Sequence, residues 1–506
     1  MTFTLPLIIL LFGALVLYRL ALLILRRRLP LPPGPKRLPL IGKLWNAPRT
    51  GDHLWRTYAK WATTYGDVFY LDIPGNPTVV INSAQAADDL FQKRSGNYSD
   101  RPDFTMMKLS GWDNNLGFMR YSDRWRTHRR MLHQYFQPHA VPVYYPVQLK
   151  ATSVLLKQLL KSPDTFVLHI RHHAGAVIMK IVYGYDVDPN GDRFVELVGR
   201  AAESARDFGN PGACLVDYIP NLKYLPGWMP GTKFLRLARA WRKDVEEMTE
   251  ETFKYTAELV AKGCASSSYV SENLTKIGTS ENATHLEIVR DTATAAFSGR
   301  YFLTVSTVLS AILAFLLYPE VQARAQAEVD AVIGHGTRLP NFDDRPQLPY
   351  IDAIVLETLR WNPVVPLGIA HRTMKEDVYR GYYIPAGMLR VRLSYRAILH
   401  DEKNYPNPLV FDPDRFIPQD GKEAQPEPTV VFGFGRRICP GRYLALNTAW
   451  IAIASMASTL SFSKAVDSEG RVIEPSSAYT SGFASFPLPF ECRIKARSAA
   501  VQALLG

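Results

Sequence analysis

One cysteine of this chain stands in a setting suited to a thiolate. Phe432-Gly-Phe-Gly-Arg-Arg-Ile-Cys439-Pro-Gly441 places it among glycines and a proline, directly ahead of the helical-looking run Arg442-Tyr-Leu-Ala-Leu. Backbone N–H groups of such a turn, and the positive end of the helix behind it, stabilise negative charge on sulfur. A thiolate held this way is a good axial ligand for haem iron, and its electron donation favours O–O cleavage. A lone cysteine beside glycines is more often structural, so the rest of the chain has to decide.

The full pattern resembles the cytochrome P450 haem-binding loop, F-x-x-G-x-R-x-C-x-G, at every defined position. Other motifs follow in that family's order. Glu357-Thr-Leu-Arg360 lies in a helical segment, where side chains three apart share a face; alone it would read as a surface ion pair. It precedes Pro413-Asp-Arg415-Phe416, as the family's second arginine should, so the resemblance implies a buried Glu357-Arg360-Arg415 network. Trp125-Arg-Thr-His-Arg129 resembles the family's W-x-x-x-R helix, whose Trp and Arg hydrogen-bond a haem propionate. Arg437 and Arg372 stand where the family supplies further propionate partners, with His371 the local rival to Arg372. The likeness runs from the proline-rich segment to about Arg493 and is nearest to fungal enzymes of secondary metabolism.

The resemblance implies a fold that is mainly α with a small β region, wrapped around haem b, with Cys439 as metal ligand and catalytic residue. It implies a monooxygenase that inserts one oxygen atom from O2 into a small lipophilic substrate. Segments that line the substrate pocket in relatives are apolar here: Phe104, Met106, Met107, Trp112, Leu116, Phe118, Val364 to Ile369, Tyr479 and Phe483. Core packing is the competing reading for each of them. The chain carries no flavin or nicotinamide fingerprint, so electrons must come from a partner, by resemblance a membrane-bound NADPH-cytochrome P450 reductase meeting basic residues near Cys439.

One segment departs from the family. The long helix should carry an acid and an alcohol that deliver protons over the haem; here Gly299-Arg-Tyr-Phe-Leu-Thr304 puts Phe302 in the acid's place and Leu303 in that of the first threonine. Neither side chain transfers protons. Thr304 is offset by one residue, which on a helix turns it about 100° away. Three readings stay open: oxygenation with protons relayed by water or substrate; a haem-thiolate isomerase or dehydratase that does not activate oxygen; or a haem-binding pseudoenzyme or misread exon boundary.

Helical periodicity predicts the elements that must position these groups: Ala84 to Lys93, Asp123 to Gln134, Pro146 to Leu160, Lys233 to Ala261, Leu286 to Leu317, Pro319 to Ile333 and Tyr350 to Trp361. Short strands are expected at Val68 to Ile81, Tyr379 to Leu393 and Phe483 to Arg493. The polar run Gly263 to His285 reads as an exposed loop, and His400 to Val430 as a long irregular connection.

Of the 506 residues, 47% are hydrophobic, enough to bury a large core around a cofactor. The formal charge of +12 is scattered rather than massed in runs, which argues against nucleic acid. Four widely spaced cysteines, Cys214, Cys264, Cys439 and Cys492, match no disulfide or zinc pattern. Thr2 to Leu25 is apolar apart from Arg19 and is followed by Arg26-Arg27-Arg28. A helix of that length spans a bilayer core of roughly 30 Å, and charge behind the apolar run points to an uncleaved anchor with the bulk of the chain in the cytosol. The expected organisation is thus an anchor and basic flank over 1–28, a proline-rich hinge over 29–45 and a catalytic domain over 46–506, on the endoplasmic reticulum membrane. The sequons at Asn97, Asn273 and Asn282 would then go unused.

Overall fold

The computed structural model describes residues 29–35, 53–73, 76–208, 214–277, 283–387, 390–419 and 421–505, with side chains undescribed at 205–208, 277 and 300–302. The anchor reading over 1–28, the remainder of the hinge and the Asn282 sequon lie outside the described residues, as does the side chain of Phe302.

The helices that position the site are α1 (Asp123–Phe136), α2 (Lys233–Ala261), α3 (Ala283–Leu317), α4 (Pro349–Trp361) and α5 (Arg442–Thr459). Each starts or sits where its chemistry dictates. The Ser122 hydroxyl caps α1 by accepting from the Trp125 N–H at 3.2 Å, with Asp123 in the first turn facing the positive helix end. Pro349 opens α4, where its missing N–H costs nothing. In α5 nearly every side chain from Asn447 to Thr459 is buried, so this helix forms the centre of the molecule rather than its surface. At 35 residues α3 runs about 52 Å, packing against helix Phe166–Tyr183, α1, α4 and α5. It is long and apolar enough to cross a membrane, but its most apolar stretch is 87% buried, so it is a core helix.

Strands β1 (Val68–Leu71), β2 (Thr78–Ile81), β3 (His371–Arg372) and β6 (Arg390–Leu393) form one sheet in the order β1-β2-β6-β3, with only β2 and β6 parallel. Two-stranded ribbons pair β4 (Asp377–Tyr379) with β5 (Tyr382–Ile384), and β7 (Leu460–Lys464) with β8 (Cys492–Ala496). The expected mainly α fold with a small β region is therefore what the described residues form. The prolines of the hinge dock on this β region, for the Pro30 and Pro33 carbonyls accept from the N–H groups of Tyr383 and Tyr70.

Two local expectations need correction. The polar run 263–285 contains a helix, Tyr269–Ile277, because Tyr269, Val270 and Asn273 turn inward. Tyr269 hydrogen-bonds Thr292, and the buried Asn273 amide donates to Tyr135 and to its own helix, which leaves that sequon no room for a glycan. The strand expected over Phe483 to Arg493 shrinks to β8, since Pro487 and Pro489 lack the N–H groups that a ladder needs.

Candidate active site

Cys439 lies at the floor of a cavity of about 270 Å³, walled by α1, α3, α5 and the loops after Gly111 and Val364. The loop that holds it is bent by glycine. Gly433 and Gly435 adopt φ of 81° and 50°, and a Cβ at Gly435 would fall 2.3 Å from the Phe91 carbonyl oxygen. The Gly435 N–H donates to Gln92 at 2.8 Å, and the Cys439 N–H closes the turn on the Phe432 carbonyl at 2.7 Å. Three residues later the backbone enters α5, whose first turn closes from Ala445 N–H to the Gly441 carbonyl. Cys439 thus precedes the positive end of a buried helix, as the spacing predicts.

Cations dominate one wall. Arg101, Arg129 and Arg437 all line the cavity together with His371 and Trp125. Arg437 stacks over the Trp125 ring at 4.3 Å and donates to the carbonyls of Ser99, Leu116 and Met119. Arg101 donates to the carbonyls of Gly117, Ile369 and Ala370. These contacts fix the guanidiniums without neutralising them. Burial, with Arg101 and Arg129 nearby, pushes Arg437 down to about 8, and burial pushes Arg101 down to about 10. Burial also holds Arg129 below its ordinary value, and the negative charge of Cys439 offsets part of the shift. Because arginine resists deprotonation, this wall keeps its charge and demands anions. The buried Trp125 Nε1 has no hydrogen-bond partner among the described residues. A haem ligated by the Cys439 thiolate would supply, through its two propionates, what this wall lacks: acceptors for Trp125 and negative charge for the arginines. The residues present fit that group.

Arg101 had no motif to mark it; it joins the wall because its loop folds back onto Ile369 and Ala370. The expectation for Arg372 does not carry over. Side chains alternate along a strand, so in β3 His371 faces the cavity while Arg372 points away, its Nη1 3.6 Å from Asp103. His371 stays neutral, its pKa well below the ordinary 6.5 through burial and the repulsion of Arg101 and Arg437, and its Nδ1 lies 2.6 Å from the Tyr98 carbonyl. The unfolded chain takes up a proton near 6.5 that the folded chain refuses, so stability should fall as pH drops below that value. Denaturant titrations at pH 7 and pH 5 should show a smaller loss in His371→Asn than in the parent.

Glu357, Arg360 and Arg415 come together as the motif order implied. Arg360 grips the Glu357 carboxylate through Nε at 2.6 Å and Nη2 at 2.7 Å, and Arg415 Nε stands 3.5 Å from the same group. All three are buried. The spare guanidinium donors reach the carbonyls of Leu399, Pro408, Val410 and Asn407, and the Asp412 N–H donates to Glu357 at 2.8 Å. The network ties α4 to the long irregular connection that leads into the Cys439 loop.

On α3, Ala295, Ala296, Ser298, Gly299 and Leu303 line the cavity. Leu303 therefore occupies a position facing Cys439's cavity, while Thr304 is buried elsewhere and its Oγ1 has no partner among the described residues. The one-residue offset turns the hydroxyl away, as helix geometry requires. Of the apolar substrate candidates, Trp112, Leu116, Phe118, Val365, Ile369 and Phe483 line the cavity; Phe104, Met106, Met107, Val364 and Tyr479 do not and serve as packing.

Set beside known proteins, residues 32–491 match the cytochrome P450 family model. A cytochrome P450 monooxygenase of Postia placenta is 40% identical, covering 94% of this chain and 92% of its own length. Another from Armillaria gallica is 40% identical, covering 95% and 94%. A tryptamine 4-monooxygenase of Psilocybe cyanescens is 39% identical, covering 93% and 94%. With a half-buried thiol in a cation-walled cavity and these relatives, the chain belongs to the cytochrome P450 family. It is an oxidoreductase of the monooxygenase kind, in a family that implies haem with cysteine thiolate ligation, dioxygen and a reductase partner.

Proposed function

We propose that this enzyme inserts one oxygen atom from O2 into a small lipophilic molecule of fungal secondary metabolism, using haem b ligated by Cys439. Cys439 beneath an apolar cavity with a cationic wall is the observation that carries the reading. Haem, when bound, supplies reductive activation of dioxygen with electrons from NADPH-cytochrome P450 reductase. Trp125, Arg129, Arg437 and Arg101 would hold its propionate edge; the Phe118–Phe483 ring pair, centroids 6.2 Å apart, helps to exclude water and orient the substrate. With Leu303 facing the cavity and Thr304 turned away, protons reach the reacting atoms through water or a substrate hydroxyl. The kinship with a tryptamine 4-monooxygenase makes uncharged indoles reasonable first members of a substrate screen. Reductase-dependent NADPH consumption yielding a product labelled from 18O2 tests the proposal. Leu303 favours one second reading, a redox-neutral rearrangement, which would instead give product without label or NADPH use.

The same proposal places the enzyme on the endoplasmic reticulum membrane through 1–28, with the catalytic domain facing the cytosol. Support comes from exposed apolar side chains gathered between residues 215 and 228: Leu215, Ile219, Tyr224 and Trp228, the last 83% exposed beside Lys223. Such a patch suits a lipid interface. Deleting Met1 to Arg28 should leave a folded, haem-containing domain that binds vesicles more weakly, and adding Tyr224→Ser and Trp228→Ser should weaken binding further. Haem lost with the anchor would contradict this arrangement.

A further inference from the structure

The lining of the cavity above Cys439 is mostly apolar, and two groups of polar side chains stand out in it. One is the cationic wall; the other is a polar pair formed by Asn115 and Ser298. Among the described residues of α3 that face the cavity, Ser298 alone carries a hydrogen-bonding side chain; the others are Ala295, Ala296, Gly299 and Leu303. Ser298 is 3% exposed, and its hydroxyl donates to the Thr294 carbonyl at 2.9 Å. It accepts from Asn115 Nδ2 at 3.0 Å, while Asn115 Oδ1 accepts the Gly117 N–H at 3.0 Å. An amide has two donor hydrogens and two acceptor lone pairs. Asn115 therefore keeps one N–H and one lone pair without a partner among the described residues, held in a fixed orientation by its other contacts.

Asn115 also lines a second, polar cavity of about 200 Å³, whose walls include Arg242, Glu250, Arg290 and Asp291. Trp112 borders both spaces, its indole N–H already committed to Ser204 at 3.0 Å. The apolar cavity thus ends at Asn115, and polar space begins behind it.

We propose that the Asn115–Ser298 pair is the specificity-determining anchor of the substrate: it takes a hydroxyl or carbonyl oxygen at the end of an apolar body lying over Cys439. This deepens the monooxygenase reading and rests on it for what happens to the bound molecule. The substrate class is a neutral lipophile with one oxygen function remote from the carbon that is oxidised. Asn115 and Ser298 orient the molecule and take no part in bond making, so each is a positioning residue.

The test compares two probes of the same shape, 1-adamantanol and 1-methyladamantane, binding to the full-length holoprotein by calorimetry. The wild type should prefer the alcohol. A net hydrogen bond corresponds to roughly a two- to tenfold change in affinity, so Asn115→Leu should lower the alcohol-to-methyl affinity ratio by about three- to tenfold and leave the methyl analogue within about twofold. Ser298→Ala, which only loosens the amide, should lower the ratio less and decides the matter alone where Asn115→Leu does not fold. A wild type with no preference for the alcohol, an unchanged ratio in the variants, or an equal weakening of both probes would overturn the anchor. The reduced, CO-bound spectrum of the same samples reports separately on haem ligation. A protein that prefers the alcohol but lacks a thiolate-type band would sink the haem-thiolate reading and leave the anchor standing.

Discussion

Glu357→Ala is expected to yield little or no soluble, haem-containing enzyme. Arg360 is fully buried, and among the described residues its only carboxylate contact is Glu357; Arg415 loses its near partner at the same time. Burial pushes the Glu357 carboxyl up while both guanidiniums pull it back. Removing one member of such a set costs roughly 3–5 kcal/mol, because the desolvated partner is left uncompensated. Against a total stability of about 5–15 kcal/mol, that is a large fraction. The loss falls on the connection that leads to the Cys439 loop, so cofactor retention should fail along with folding. Soluble yield, thermal midpoint and haem content of the purified variant measure it. A Glu357→Ala protein with the parent's midpoint and haem content would mean that the network holds nothing.

The second large effect concerns the cationic wall. Arg101, Arg129 and Arg437 stand together in a cavity lined by no acidic side chain among the described residues, and burial and mutual repulsion hold Arg437 down to about 8. Propionates would relieve that cost through charge-assisted hydrogen bonds, each worth about 1.5–3 kcal/mol. Cofactor-free protein reconstituted with haem dimethyl ester, whose propionates are blocked, should therefore bind on the order of 10²-fold more weakly than with haem b. Arg129→Leu should narrow the difference between the two cofactors, because it removes part of what the carboxylates answer. Equal affinity for acid and ester would show that the arginines serve only the surrounding carbonyls.

How far residues alone lead depends on what each element exposes. α2 and helix Pro319–Ile333 are legible to the residue, since each alternates a buried stripe with a charged face. Helix Phe166–Tyr183 is not, because it is buried on most sides and shows no clear period; the same holds for most of α5 beyond its first turn. Helix Tyr269–Ile277 hides in a polar run because its inward side chains are Tyr, Ser and Asn that hydrogen-bond in the interior. Among the candidate site residues, the Cys439 loop and the Glu357 network are visible as motifs because backbone geometry and charge pairing demand particular residue types at fixed spacing. His371 against Arg372 cannot be decided without knowing which face of a two-residue strand meets the cavity. Arg101 and the Asn115–Ser298 pair are invisible for a related reason: their partners lie 268 and 183 residues away.

The most direct test of the account is the reduced, carbon-monoxide-bound absorption spectrum of the full-length protein and of its Cys439→Ala variant. A red-shifted, thiolate-type Soret band in the first that is absent from the second is the predicted result. A band that survives in Cys439→Ala, or that is missing from the parent, would contradict Cys439 as the ligand that makes this cavity an oxygenase site.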